Sequence, residues 1–103
     1  MTKFDKIRDL HNFFLKKFRP RKKVVLRFSN RMICNGSYSY YNNKHYITLN
    51  KMDNYAVSTE NILHEWGHLL DRTKWSKEHH GNCWGICFAR VYRVYLEWVE
   101  TFD

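Results

Sequence analysis

An α+β fold follows from three features of the chain. Apolar residues recur at helical steps at both ends and again past the middle. Short β-branched and aromatic runs, separated by turn residues, fill the stretch between residues 24 and 49. The length of 103 residues suits one domain with a modest core. The expected order is an N-terminal helix, a small three-stranded and mostly antiparallel sheet, a second helix, and a long C-terminal helix. All of it belongs to a single domain, residues 1–103. A hydrophobic content of 44% with 17% aromatics excludes a disordered chain and supplies large buried area per residue.

The first helix rests on Phe4, Ile7, Leu10 or His11, Phe14 and Phe18, which share one face. Lys16, Lys17 and Arg19 suit its C-terminal end, where the dipole favours cations. Pro20, the only proline, stops it. Residues 24–28 read as a strand, Ser29 and Asn30 as a turn, and residues 32–34 as the start of a second strand. Asn35 and Gly36 signal a turn or bulge. Tyr38, Tyr40 and Tyr41 follow, then a polar turn at Asn42, Asn43 and Lys44. A third strand covers residues 45–49, with His45, Ile47 and Leu49 on one face and Tyr46 and Thr48 on the other.

Residues 50–57 read as a linker. Ser58 or Thr59 is then expected to cap a helix, with Glu60 in its first turn. Ile62, Leu63, Trp66, Leu69 and Leu70 form its apolar stripe, and it is expected to end near residues 71–73. Residues 74–81, KWSKEHHG, form a polar loop. The last helix carries Trp84, Cys87, Phe88, Val91, Tyr95, Trp98 and Phe102 on a core stripe, with Arg90, Arg93 and Glu97 opposite.

The charge is +8, from eighteen Lys and Arg against ten Asp and Glu. The excess lies early, in Lys16, Lys17, Arg19, Arg21, Lys22, Lys23, Arg27 and Arg31. Such a patch attracts phosphates, and nucleic-acid contact is expected there. No stretch has the apolar length of a signal peptide or a membrane span. Three cysteines, Cys34, Cys83 and Cys87, argue against a disulfide framework. A monomer in a reducing cytoplasm is expected. The short chain, rich in Lys, Asn and Tyr, suggests a compact viral or mobile-element gene, and so a host cytoplasm.

The chemistry centres on LHEWGHLL, residues 63–70. His64 and His68 stand four apart, so on a helix their imidazoles lie one above the other. Two such rings can grip one Zn2+ at about 2.0–2.1 Å each. Glu65, beside them, suits the general base. Zinc lowers the pKa of a bound water to roughly 7 and polarises a carbonyl, so hydrolysis becomes possible at neutral pH. A catalytic zinc needs a third protein ligand and an open position. His79 and His80 are the candidates, with Glu78 and Asp71 as weaker carboxylate options.

The motifs Ile47-Thr48-Leu49-Asn50, His64-Glu65-Trp66-Gly67-His68 and His80-Gly81-Asn82-Cys83-Trp84 together resemble the SprT-like (Spartan-type) zinc metalloprotease domain. The motifs span roughly residues 45–100, and the element order matches over the rest. The resemblance implies a minimal zincin-like fold with His64, His68 and His80 as zinc ligands and Glu65 as general base. It implies that Trp84 packs behind the site. It also implies that the strand around residues 46–49 borders the cleft, where an extended substrate could add as a strand. The family acts on proteins bound to DNA. Cys83 and Cys87 lie four apart on the last helix and do not form the zinc ribbon common in the family. DNA contact is therefore expected from the domain's own basic residues, Lys16, Lys17, Arg19, Arg21, Lys22 and Lys23.

The expected function is a zinc-dependent metallopeptidase acting on nucleic-acid-associated proteins. The alternative is a zinc-stabilised binding module, catalytically silent, that contacts DNA or a regulatory protein. Other polar residues receive structural readings. Cys34 and Cys87 read as core residues. A second metal face from His79, Cys83 and Cys87 is the lesser reading. Tyr38, Tyr40, Tyr41 and Tyr46 can stack bases or donate to an oxyanion, but read first as sheet packing. His11 and His45 have no assignable partner.

Overall fold

The computed structural model describes residues 2–71 and 82–102. Its elements are α1 (Lys3–Phe18), β1 (Lys23–Ser29), β2 (Gly36–Tyr41), β3 (Lys44–Asn50), α2 (Tyr55–Leu70) and α3 (Asn82–Glu100). The fold is α+β, three helices with a small three-stranded mixed sheet.

The boundaries of α1 and α2 have local causes. Thr2 caps α1: its hydroxyl accepts from the Asp5 N–H, and Asp5 accepts in return from the Thr2 N–H. This is a capping box. Arg19 closes the helix in the left-handed region at φ 47°, and Pro20 prevents any continuation. In α2 the cap is Asn54, whose side chain accepts from the Val57 N–H at 2.9 Å. The helix therefore starts one turn before Ser58 and Thr59, which are buried inside it. The expected cap at those two residues is corrected: an Asx cap satisfies the same orphan donors one turn earlier. The C-terminal end falls at Leu70 with Asp71 as cap, as expected.

The sheet order is β1-β3-β2. β3 pairs with β2 antiparallel and with β1 parallel, so the expected mostly antiparallel sheet is in fact half parallel. Asn42 and Asn43, at φ 53° and 59°, make the two-residue hairpin that joins β2 to β3. β3 has the cleanest alternation, His45, Ile47 and Leu49 being buried, and it takes the centre. β2 is mostly exposed and takes an edge. It starts at Gly36; residues 32–34, expected to open it, are irregular, and Cys34 is exposed rather than core.

The helices lie on the inward face of the sheet. α2 packs on β2 and β3, α1 touches β1, and α3 packs on α2 and α1 away from the strands. Trp66 is the hub, fully buried, with its ring 5.5–5.7 Å from those of His11, Phe14 and Phe18. Ile7, Leu10, Ile47, Leu49, Ile62 and Val91 close around it. Among the described residues no helix is long and apolar enough to cross a membrane.

Candidate metal centre

α2 divides its motif between two faces. Trp66 points into the core, whereas His64 and His68 are half-buried and Glu65 is buried. The two imidazole rings meet edge to face at 4.8 Å, and their Nε2 atoms lie 3.1 Å apart. With a shared proton this is a hydrogen bond. With both lone pairs turned outward it is half of a metal site, since two nitrogens on a tetrahedral zinc lie about 3.3 Å apart. His64, Glu65 and His68 bring one ligand atom each within 4.8 Å of one another. The two imidazoles suit zinc as ligands, with the Glu65 carboxylate close beside them.

Glu65 sits 5% exposed and faces the start of β2: a Cβ built on Gly36 would stand 3.2 Å from its Oε2. A glycine at that strand position leaves room for the carboxylate. Burial pushes the Glu65 carboxyl up to about 7, because removal from water penalises the charged form.

α3 supplies the back wall. The Trp84 ring lies 5.0 Å from His64 and 5.7 Å from His68, and stacks on Phe88 at 5.0 Å. This is the position behind the histidines that the resemblance implied. Gly67 makes the approach possible: a Cβ there would meet Trp84 Nε1 at 3.0 Å and the Phe88 backbone at 3.5 Å.

The third-ligand candidates His79, His80 and Glu78 lie outside the described residues. Asp71 is the buried C-cap of α2, its N–H bonded to the Gly67 and His68 carbonyls. The strand expected to receive substrate is corrected. β3 is paired on both sides and has no open edge, whereas among the described residues β2 is paired only with β3 and begins beside Glu65.

The basic residues Lys16, Lys17, Arg19, Arg21, Lys22 and Lys23 are all exposed, along the end of α1 and the turn into β1. Lys17 makes an exposed ion pair with Glu97 at 3.3 Å. Sequence reasoning left His11 and His45 without partners: His11 Nδ1 accepts from Trp66 Nε1 at 3.2 Å, and His45 Nδ1 lies 2.8 Å from the Tyr38 hydroxyl. It also missed the parts played by Gly36 and Gly67. The G in H-E-W-G-H was the only available signal for close helix packing.

Comparison with family models, curated proteins and solved structures returned no match to this chain.

Proposed function

We propose that the protein is a monomeric, zinc-dependent metallopeptidase of SprT-like type, acting on proteins associated with nucleic acid. The observation that carries this reading is the convergence of the His64 and His68 Nε2 atoms at 3.1 Å beside the buried Glu65. His80 is the proposed third ligand. A zinc ion held there supplies an acidified water and a polarised carbonyl.

The chain's own residues do the rest. Glu65 accepts a proton from the attacking water and returns it to the leaving amine. Trp84 fixes the rotamers of both histidines by packing on their rings. An extended substrate pairs with the free edge of β2, and its scissile bond then sits near Gly36 and Glu65.

The test is zinc per chain and peptide hydrolysis, measured together. Glu65→Gln should retain about one zinc and lose at least ~100-fold in rate, while His64→Ala should lose the zinc. If Glu65→Gln cleaves like wild type, the enzyme reading fails. The exposed basic run favours a second reading, a zinc-stabilised binding module. In that case reversing Lys16, Lys17, Lys22 and Lys23 abolishes function, and Glu65→Gln does not.

A further inference from the structure

The outward face of the sheet is distinct from the metal centre. Val24, His45, Ile47 and Leu49, the buried strand residues, share the inward face, where the helices pack, and no described element packs on the outward one. Its residues are set by the register: Lys23 pairs with Lys44, Val25 with Tyr46 and Arg27 with Thr48, while Tyr41 pairs with Lys44 from the other side.

Three observations converge on this face. First, an aromatic and cationic stack crosses all three strands. Arg27 lies over the Tyr46 ring at 4.8 Å, and Tyr46 stacks on Tyr41 at 4.3 Å with 14° between planes. Tyr41, at the edge, is 47% exposed, so its outer ring face is open to a further planar group. Second, Lys23 and Lys44 are held side by side on adjacent strands, about 4.8 Å apart in backbone. Like charges so placed repel, and an anion between them relieves the cost. Third, the remaining outward positions are Val, Ser, Thr and Asn, and none is acidic. Among the described residues, Lys23, Arg27 and Lys44 make no ion pair.

We propose that this face binds single-stranded nucleic acid. The bases stack outward from Tyr41, and the phosphates follow Lys44 and Lys23 toward Arg27. Every base has a π-face, so the site is tolerant of sequence. It requires unstacked bases, so it discriminates against duplex. The ring and ammonium groups read base and phosphate, not sugar, so DNA and RNA strands bind alike. β2 connects the two sites: Tyr41 ends it and Gly36, beside Glu65, begins it. Five residues of strand place them about 17 Å apart. A protein attached to the bound strand is thereby held within reach of the metal centre. That consequence rests on the peptidase reading, whereas the binding does not.

The test is fluorescence anisotropy of the full chain with labelled dT, rU and duplex oligonucleotides of about 15 residues. The dT and rU strands should bind equally and the duplex more weakly. Tyr41→Ala should lower affinity about tenfold. Three phosphate contacts predict a log–log salt slope of roughly −2, and the Lys23→Gln/Lys44→Gln pair should reduce it by about 1.4. Arg27→Gln, a fully surface change, guards against misfolding of a tyrosine variant. In the wild-type protein, photo-crosslinking of an iodouridine strand should label Tyr41. Duplex binding as tight as single strand, or full affinity in both Tyr41→Ala and Arg27→Gln, overturns the proposal. The Glu65→Gln protein should bind as wild type does, which separates the two readings. Binding without hydrolysis leaves this face standing and sinks the enzyme. Hydrolysis without binding does the reverse.

Discussion

His11 lies on the core face of α1, 5% exposed, and its Nδ1 accepts the Trp66 indole N–H. Burial lowers its pKa from 6.5 to about 4, since the folded protein disfavours the charged ring. The sign is set by which state takes the proton. Between pH 6.5 and 4 the unfolded chain is protonated at His11 and the folded chain is not. The stability is therefore fully present above about 6.5 and is lost as pH falls toward 4, by roughly 3 kcal/mol in all. Urea unfolding at pH 7.5 and 4.5 measures this. His11→Gln keeps an acceptor for Trp66 but does not titrate, so its deficit at pH 7.5 should shrink or reverse at pH 4.5. Glu65 titrates with the opposite sign in both proteins and cancels from the comparison. An unchanged deficit at both values would show that His11 is not held neutral.

At the scale of elements, the candidate site owes its Trp84 wall to the close approach of α2 and α3 at Gly67. The nearest atoms to a Cβ there are Trp84 Nε1 at 3.0 Å and Trp84 Cε2 at 3.4 Å, so the packed indole, a rigid ring rather than a flexible chain end, would have to shift. Gly67→Ala should destabilise the fold by about 1–3 kcal/mol, as overpacking does, despite the better helix propensity of Ala. It should also lower zinc affinity, because displacement of Trp84 frees the His64 and His68 rings. Chemical denaturation and zinc competition test the two parts separately. Gly36→Ala makes the contrasting case. Its Cβ would meet the end of a side chain, Glu65 Oε2 at 3.2 Å, so hydrolysis should fall with little loss of stability. Both glycines were visible as letters, and Gly36 even as a turn signal. Neither announced what it faces, because those neighbours come from another element.

For the whole molecule, the controlling quantity is the net charge of +8, with only two exposed ion pairs among the described residues, Arg8–Asp5 and Lys17–Glu97. Self-repulsion of this kind destabilises the compact state and is screened by salt. Tm should rise by several degrees between about 20 mM and about 300 mM sodium chloride, where the Debye length falls from roughly 20 Å to below 10 Å. A flat or falling Tm would mean that the basic groups are locally balanced. Single-stranded oligonucleotide should raise Tm most strongly at the low-salt end, where binding is tightest.

Read alone, the string of residues was enough for the three helices, the strand content, the inward side of β3 and the pairing of His64 with His68. Each of these is a local matter: helical hydrogen bonds span four residues, strand faces alternate by two, and both periods are written in the letters. The ends were less legible, as at Asn54 against Ser58 and Thr59, because several residues compete to satisfy the same orphan donors. Strand order, the parallel β1–β3 pairing, the place of Glu65 beside Gly36 and the Arg27–Tyr46–Tyr41 stack belong to the folded molecule. They join residues up to 29 positions apart, and such contacts are settled by competition among elements for burial, not by any pattern within one of them.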